Sequence, residues 1–421
     1  MPFSENVDLL GYHDLEGRAG FKLALHEKNG AFFLYVASLW EPGFTILNVT
    51  DPARPIFVRW MPGPPNTWTI QVQIAGKIMI TSLEHIPGGW SNGEYHVPED
   101  GFLIWDLEEP DNPRQIGRWK SGGTGTHRNF YSGGNTVHVA TSLDGFEGQI
   151  YAGIDITDPE SPFIDRSWWW PGQNVAAGER YSESDVQRSL SGKPFPTSES
   201  SQHPLSLHGG AYVEGNRVYA PWMRAGLVIL DILDKKQTNL VSNLSFYPPL
   251  GSTIAVHTAV PLLDRNLLVV NSEALRESCD EAVGFAGIVD IANELDPILI
   301  SLFPQPRTPK GYPTKTFCQR GGRFGPHNQH QPQGQSCLAP VGQFIYLTYF
   351  NAGLQIFDIS EPRDPFIAGF YIPDDPIARR GPLPKTLVVQ AEDVLVDRRG
   401  VIYMSEKNSG IYLMSFEALA C

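Results

Sequence analysis

The sequence predicts an all-β protein, a seven-bladed β-propeller interrupted by two long insertions. Three observations lead there. The 421 residues include 41 Gly and 35 Pro, above the ordinary shares of about 7 % and 5 %, so turns come too often for long helices. Hydrophobic residues still reach 41 % and aromatics 11 %, more than a disordered chain carries. One short pattern also recurs along the whole length, and such self-similarity marks repeat architectures and propellers.

The pattern is Gly, alternating apolar residues, Asp-Ile and a Pro-rich turn. It reads GFTILNVTDPARP from Gly43, GFLIWDLEEPDNP from Gly101, YAGIDITDPESP from Tyr151, GLVILDILD from Gly226, AGIVDIANELDP from Ala286 and GLQIFDISEPRDP from Gly353. A shortened copy, GIYLMSF, begins at Gly410. Before each copy stands a run rich in β-branched and aromatic residues: FFLYVAS, KIMITSL, TVHVATS, RVYAPWM, LLVVNSE, FIYLTYF and VIYMSEK, which read as strands. A hairpin signal precedes each run (KNG, AGK, GGN, EGN, DRN, VGQ, RRG). A further apolar strand follows the Pro turn, as in PIFVRWM and PFIAGFY. Four strands per copy and seven copies give seven blades in one domain spanning 1–421. The segment VDLLGYHDL, which precedes the first copy, is expected to complete the last blade and remove a free edge. The insertions, 171–205 with the helical stretch GERYSESDVQRSL and 304–336, account for the two longest intervals between copies and are expected to form lids over the channel.

The DIxDPxxP turn, with NTWTIQVQ from Asn66 and RFGPHNQH from Arg323, resembles the LVIVD-repeat family over nearly the whole chain. The resemblance implies a propeller and leaves the activity open.

In a propeller the first strand of each blade lines the axis. Eight residues before the hairpin turn stand Lys22, Trp68, His127, His208 and Glu392; His257 stands nine before Asn266, and the sixth blade offers His327 or His330. Four of seven axial positions thus carry or adjoin His in a chain with only 11. Neutral imidazoles on rigid strands suit a divalent metal, with Fe the first expectation and Zn or Mn the alternatives. Of the sixth-blade pair, His330 is the expected ligand and His327 its neighbour. A second ring, Trp40, Glu84, Asp144, Arg224, Glu273, Asn351 and Glu406, follows the second strands. Its carboxylates could orient the histidines or move protons, and Arg224 could hold a substrate carboxylate. Glu392, Glu84, Glu273, Arg224 and Lys22 are the catalytic candidates. His13, His26, His96, His138 and His203 read as structural, and Trp168–Trp170 as outer-strand packing.

Bulk properties narrow the partners. Lys+Arg 32 against Asp+Glu 46 gives a net charge of −14, which disfavours nucleic acid and acidic membranes. No run approaches 18 apolar residues, and the N-terminal stretch lacks a signal pattern. Cys279, Cys318, Cys337 and Cys421 are scattered, so reduced thiols in a cytoplasmic protein are expected. The expected partner is a small organic substrate, and an apolar or aromatic one would suit the Trp68, Trp40 and Phe350 surroundings. Four histidines from four blades resemble, in geometry alone, the carotenoid and stilbene cleavage oxygenases, which implies oxidative cleavage. A metal-dependent lyase or hydrolase, with Glu or Lys as acid or base, is the alternative. A non-catalytic interaction propeller is the third reading.

Overall fold

The structure is a computed structural model and describes residues 2–86, 97–190, 205–246, 250 and 254–418. Nearly all of its regular structure is strand. After β1 (Phe3–Glu5) and β2 (Val7–His13), the first antiparallel meander is β3 (Leu23–Lys28), β4 (Ala31–Ala37), β5 (Gly43–Asn48) and β6 (Ile56–Pro62). The short β7 (Thr67–Trp68) precedes the second, β8 (Val72–Ala75), β9 (Ile78–His85), β10 (Gly101–Asp106) and β11 (Arg114–Trp119). The third is β12 (Gly122–Phe130), β13 (Thr136–Leu143), β14 (Ile150–Asp155) and β15 (Phe163–Trp168), followed by α1 (Glu183–Leu190).

The fourth meander is β16 (Tyr212–Glu214), β17 (Arg217–Trp222), β18 (Gly226–Asp231) and β19 (Asn239–Leu244). The fifth is β20 (Ile254–Leu262), β21 (Leu267–Glu273), β22 (Ala286–Asp290) and β23 (Ile298–Leu302). After α2 (Phe317–Arg320) come β24 (Phe344–Thr348), β25 (Leu354–Asp358) and β26 (Phe366–Ile372), then β27 (Ala391–Val396), β28 (Ile402–Glu406) and β29 (Gly410–Phe416). Gly125 pairs with Glu84, which joins the second and third meanders into one larger sheet.

The chain's two ends interlock. Strand β1 pairs with β26 and β2 with β29 (Val7 opposite Phe416), so the N-terminal segment supplies the outer strand of the last two sheets. The sequence pattern anticipated the second pairing and missed the first, because the stretch around Phe3–Glu5 is too short to show a period.

Each third strand is the recurring sequence motif, and its chemistry repeats. At Gly43, Gly101, Gly226, Gly353 and Gly410, φ is positive, and a Cβ would fall 1.9–2.3 Å from a carbonyl oxygen facing it. Only Gly satisfies both conditions, which is why the motif opens with it. The ladder between third and fourth strands slips by one residue in every unit, at Val58, Ile116, Asp165, Val241, Ile300, Ala368 and, on β2, Leu10. Such a bulge adds twist to the outer edge. Alternation alone cannot reveal it, since one extra residue leaves the composition unchanged.

The cysteine expectation is corrected. Cys279 and Cys318 form a disulfide, and Cys337 is free and buried; Cys421 lies outside the described residues. The bond ties the 304–336 insertion to the connection between β21 and β22. Reduction, or a Cys279→Ser/Cys318→Ser variant, is expected to lower stability by about 4 kcal/mol, from a 39-residue separation, measured by denaturant midpoint. An unchanged midpoint would contradict that tether. No helix among the described residues is long and apolar enough to cross a membrane.

Candidate functional site

First strands of neighbouring meanders pack together, β3 on β8, β8 on β12, β16 on β20 and β27 on β3, and β27 also packs on β24, the second strand of the sixth unit. Residues 327–330 run beside β24 as a further first segment, with His327 N–H donating to Thr348 O and Thr348 N–H to Asn328 O. On these segments the ladder breaks at the residues that matter. Register shifts fall at His127 in β12, between Ile254 and Thr258 around His257 in β20, and at Glu392 in β27. A bulge re-aims a side chain out of the alternating pattern, and here it turns three polar residues inward.

The result is a buried cluster. The His127 and His208 rings stack at 4.3 Å, His208 and His257 lie 5.3 Å apart, and His257 and His327 4.9 Å apart. Glu273, at the end of β21, sits among three of them. Its Oε2 lies 3.2 Å from His208 Nε2 and 3.4 Å from His257 Nε2, and its Oε1 lies 3.5 Å from His327 Nε2. Glu84, at the end of β9, meets His127 Nδ1 at 2.6 Å and accepts from Gln149. Glu392 meets His327 Nδ1 at 3.0 Å. The backbone allows this crowding at Gly209, where a Cβ would stand 1.6 Å from His257 O.

Cations enclose the cluster. Arg323 bridges Glu273 (3.0 Å) and Glu392 (3.3 Å), its guanidinium resting 3.9 Å from the centre of the Phe350 ring. Lys407 pairs with Glu392 at 2.7 Å, and Lys22 with Asp393 at 2.7 Å. Arg128 Nη2 lies 3.5 Å from His257 Nε2.

Burial sets the protonation states. It lowers His208 to about 4, with His127 adding to the effect, and holds His127 and His257 well below the ordinary imidazole value. All three are therefore neutral near pH 7, with lone pairs available. Burial pushes Glu84 up to about 7. It acts the same way on Glu273, but His327, His257 and His208 outweigh it and hold that carboxyl well below the usual range. Burial is likewise overcome at Glu392 by Lys407, Arg323 and His327, which bring it to about 2.

These groups fit a divalent ion. Two donors each about 2.1 Å from one ion stand about 3.0–3.4 Å apart at ordinary coordination angles, the span that separates Glu273 Oε2 from each of two imidazole nitrogens. One ligand atom each from His208, His257 and Glu273 lies within 4.8 Å of the others. Two imidazoles and one carboxylate suit Fe or Zn.

Residues 338–372 match the model of the LVIVD repeat. The chain carries an LVIVD repeat. That repeat builds β-propellers, and the matched stretch covers β24, β25 and β26. No curated protein matches the chain. Among solved structures, the computationally designed Ika8 protein aligns with TM-score 0.47 and 9 % identity, over 97 % of this chain and 98 % of that one. A functionally unknown protein from Desulfotomaculum acetoxidans DSM 771 aligns with TM-score 0.48 and 12 % identity, over 83 % and 84 %. The LVIVD-matched stretch gives the cluster Phe350, stacked 4.8 Å from His327, and none of its histidines or glutamates.

One assignment is corrected. His330 does not join the cluster: its Nε2 lies 2.8 Å from Ala339 O, and its Nδ1 accepts from Val396 N–H. With both nitrogens held by backbone it fastens the sixth unit to the seventh, and His327 takes the cluster position. Arg224 is buried in the turn Met223–Ala225, Asp144 is exposed, and Glu406 accepts from the N–H groups of Gln390, Asn408 and Ser409. Of the remaining histidines, His138 Nδ1 lies 2.8 Å from Tyr151 OH and His13 Nδ1 accepts from Leu15 N–H; His96 and His203 lie outside the described residues. Trp168 and Trp169 border a surface cavity of about 550 Å³ with Arg166 and Lys236. That cavity is on the outer strand β15, and none of the four clustered histidines lines it.

Sequence reasoning missed Arg128, Arg323 and Lys407. Arg128 follows the axial His127, and only the bulge lets both enter; Arg323 opens the quoted RFGPHNQH segment, a signal that was available.

Acid should destabilise the metal-free protein. His208 and His330 (each about 4) and His138 (about 3) are depressed by burial, so the unfolded chain takes up protons first. Their stabilisation is complete above about pH 6.5 and is lost as pH falls toward 4. Glu84 and Glu406, raised by burial to about 7, act oppositely, their contribution being lost as pH rises from about 4.5 through 7. With His127 and His257 also depressed, the histidines prevail. At about 1.4 kcal/mol per pKa unit, several kcal/mol should disappear between pH 6.5 and 4.5. Denaturant midpoints that stay flat or rise across that interval would refute this balance.

Proposed function

We propose that the chain is a seven-bladed propeller holding one divalent metal ion on its axis, and that it is a metal-dependent enzyme acting on a small organic substrate. The carrying observation is the pair of 3.2 and 3.4 Å separations from Glu273 Oε2 to His208 and His257. The sevenfold bulge and the double pairing of the N-terminal strands support ring closure. His208, His257 and Glu273 would hold the ion, with His327 and His127 beside it. The ion would supply Lewis acidity and, if iron, a site for dioxygen.

The chain's own residues do the rest. Arg323 and Lys407 keep Glu392 ionised, and Glu392 orients His327. Phe21, Trp40, Trp68 and Ile70 form an apolar cluster beside the site, which excludes water. Oxidative cleavage is the favoured reaction because a two-His, one-carboxylate set leaves positions open for both dioxygen and substrate. A lyase or hydrolase is the second reading, favoured by Glu84, whose carboxyl near 7 suits proton transfer at neutral pH.

Metal analysis of the purified protein tests this. One iron per chain with oxygen uptake supports cleavage. Zinc or manganese without uptake supports the second reading. No stoichiometric metal, after supplementation with each ion, removes the enzyme and leaves an interaction propeller.

A further inference from the structure

We infer that Arg128 is the anchor for a substrate carboxylate, so that the substrate is an apolar or aromatic organic acid. This rests on the metal-site reading above. Each other cation around the cluster already holds a carboxylate: Lys22 has Asp393, Arg323 has Glu273 and Glu392, and Lys407 has Glu392. Arg128 makes no ion pair among the described residues, though it is only 3 % exposed. Its Nε and Nη1 are buried without a hydrogen-bond acceptor, leaving three N–H groups unanswered. Nη2 reaches only His257 Nε2, at 3.5 Å, a weak contact.

Glu273, Glu84, Asp393 and Glu392 attract this guanidinium from beyond ion-pair distance and offset part of the cost of its burial, but none of them meets its three open N–H groups. Those remain costly in a protein interior, and a bound anion satisfies them by charge-assisted hydrogen bonds. Its placement selects the anion. On one side stands the nitrogen of His257 that faces Glu273. On the other, the guanidinium lies 5.4 Å from the centre of the Phe21 ring, and Phe21 belongs to the cluster with Trp40, Trp68 and Ile70. A molecule with its carboxylate on Arg128 therefore sets its apolar body against those rings and its nearest carbons toward the metal ligands. This moves the carboxylate-binding role from Arg224 to Arg128.

The test compares benzoate with neutral benzamide, by calorimetry on the metal-loaded protein at pH 7.5. Wild type should bind benzoate at least tenfold more tightly. Arg128→Gln, with metal content unchanged, should weaken benzoate about 10- to 100-fold and leave benzamide alone, and Arg128→Lys should recover part of the loss. Equal affinity of wild type for the two probes, or no benzoate binding because water alone serves Arg128, overturns the proposal, and needs no variant that must fold. Benzoate binding that depends on Arg128 in a protein holding no metal would keep the anchor and reject the metal reading. Arg128→Gln with undiminished benzoate affinity would reject the anchor while metal content still reports on the centre.

Discussion

His208→Ala, His257→Ala and Glu273→Ala are each expected to abolish stoichiometric metal binding, and His330→Ala to leave it intact. Each of the first three removes one donor of a three-residue set whose separations match coordination edges. The loss should exceed the 10- to 100-fold that removal of a supporting hydrogen-bond partner brings. Glu84→Gln, which alters the partner of His127 and Gln149 but none of the three donors, should fall in that smaller range or below it. His330→Ala strands Ala339 O and Val396 N–H in the interior and opens a void. It should cost about 2–4 kcal/mol of stability with no change in metal content. Metal per chain after chelator competition, beside denaturant midpoints for the same variants, separates the two effects. Metal retained in His208→Ala, or lost in His330→Ala, would reverse the assignment.

Gly209→Ala should be the most damaging single methyl in the molecule's centre. The added carbon would stand 1.6 Å from His257 O and 2.7 Å from Pro221 Cγ, so backbone must move by more than an ångström. Close-packed interiors do not absorb that. A destabilisation above about 4 kcal/mol is expected, and any folded fraction should bind metal poorly, because His208 and His257 are pushed apart. Gly215→Ala is the control: nothing lies within 4 Å of its added carbon, although its positive φ of 56° carries a cost of about 1 kcal/mol. Thermal melts showing Gly209→Ala as mild as Gly215→Ala would mean that the two strands are not held as closely as described.

Local signals in the sequence were sufficient for the strands. LLVVNSE coincides with β21, and the runs around Leu34, Met79, Val139 and Tyr403 fall on β4, β9, β13 and β28, because alternation and turn glycines are properties of a few adjacent residues. The carboxylates Glu84 and Glu273 were legible for the same reason, each closing a second strand at a repeat-equivalent position. The choice of His330 over His327 failed because both fit the pattern. What distinguishes them is the partner of each ring nitrogen, Ala339 and Val396 for one and Glu273 and Glu392 for the other, and those partners come from other strands.

The sequence by itself determined the all-β class, the repeat, the turn chemistry and the positions at which histidines and glutamates recur, since each depends on residues a few places apart. Tertiary structure alone decided which of them meet. The bulges at His127 and Glu392, the stitching of β1 and β2, the Cys279–Cys318 bond and the gathering of Arg128, Arg323 and Lys407 all depend on contacts between distant segments. A one-residue slip in a ladder turns a side chain from one face to the other without changing the composition; two such slips, at His127 and Glu392, and the wider shift before Thr258 build this site.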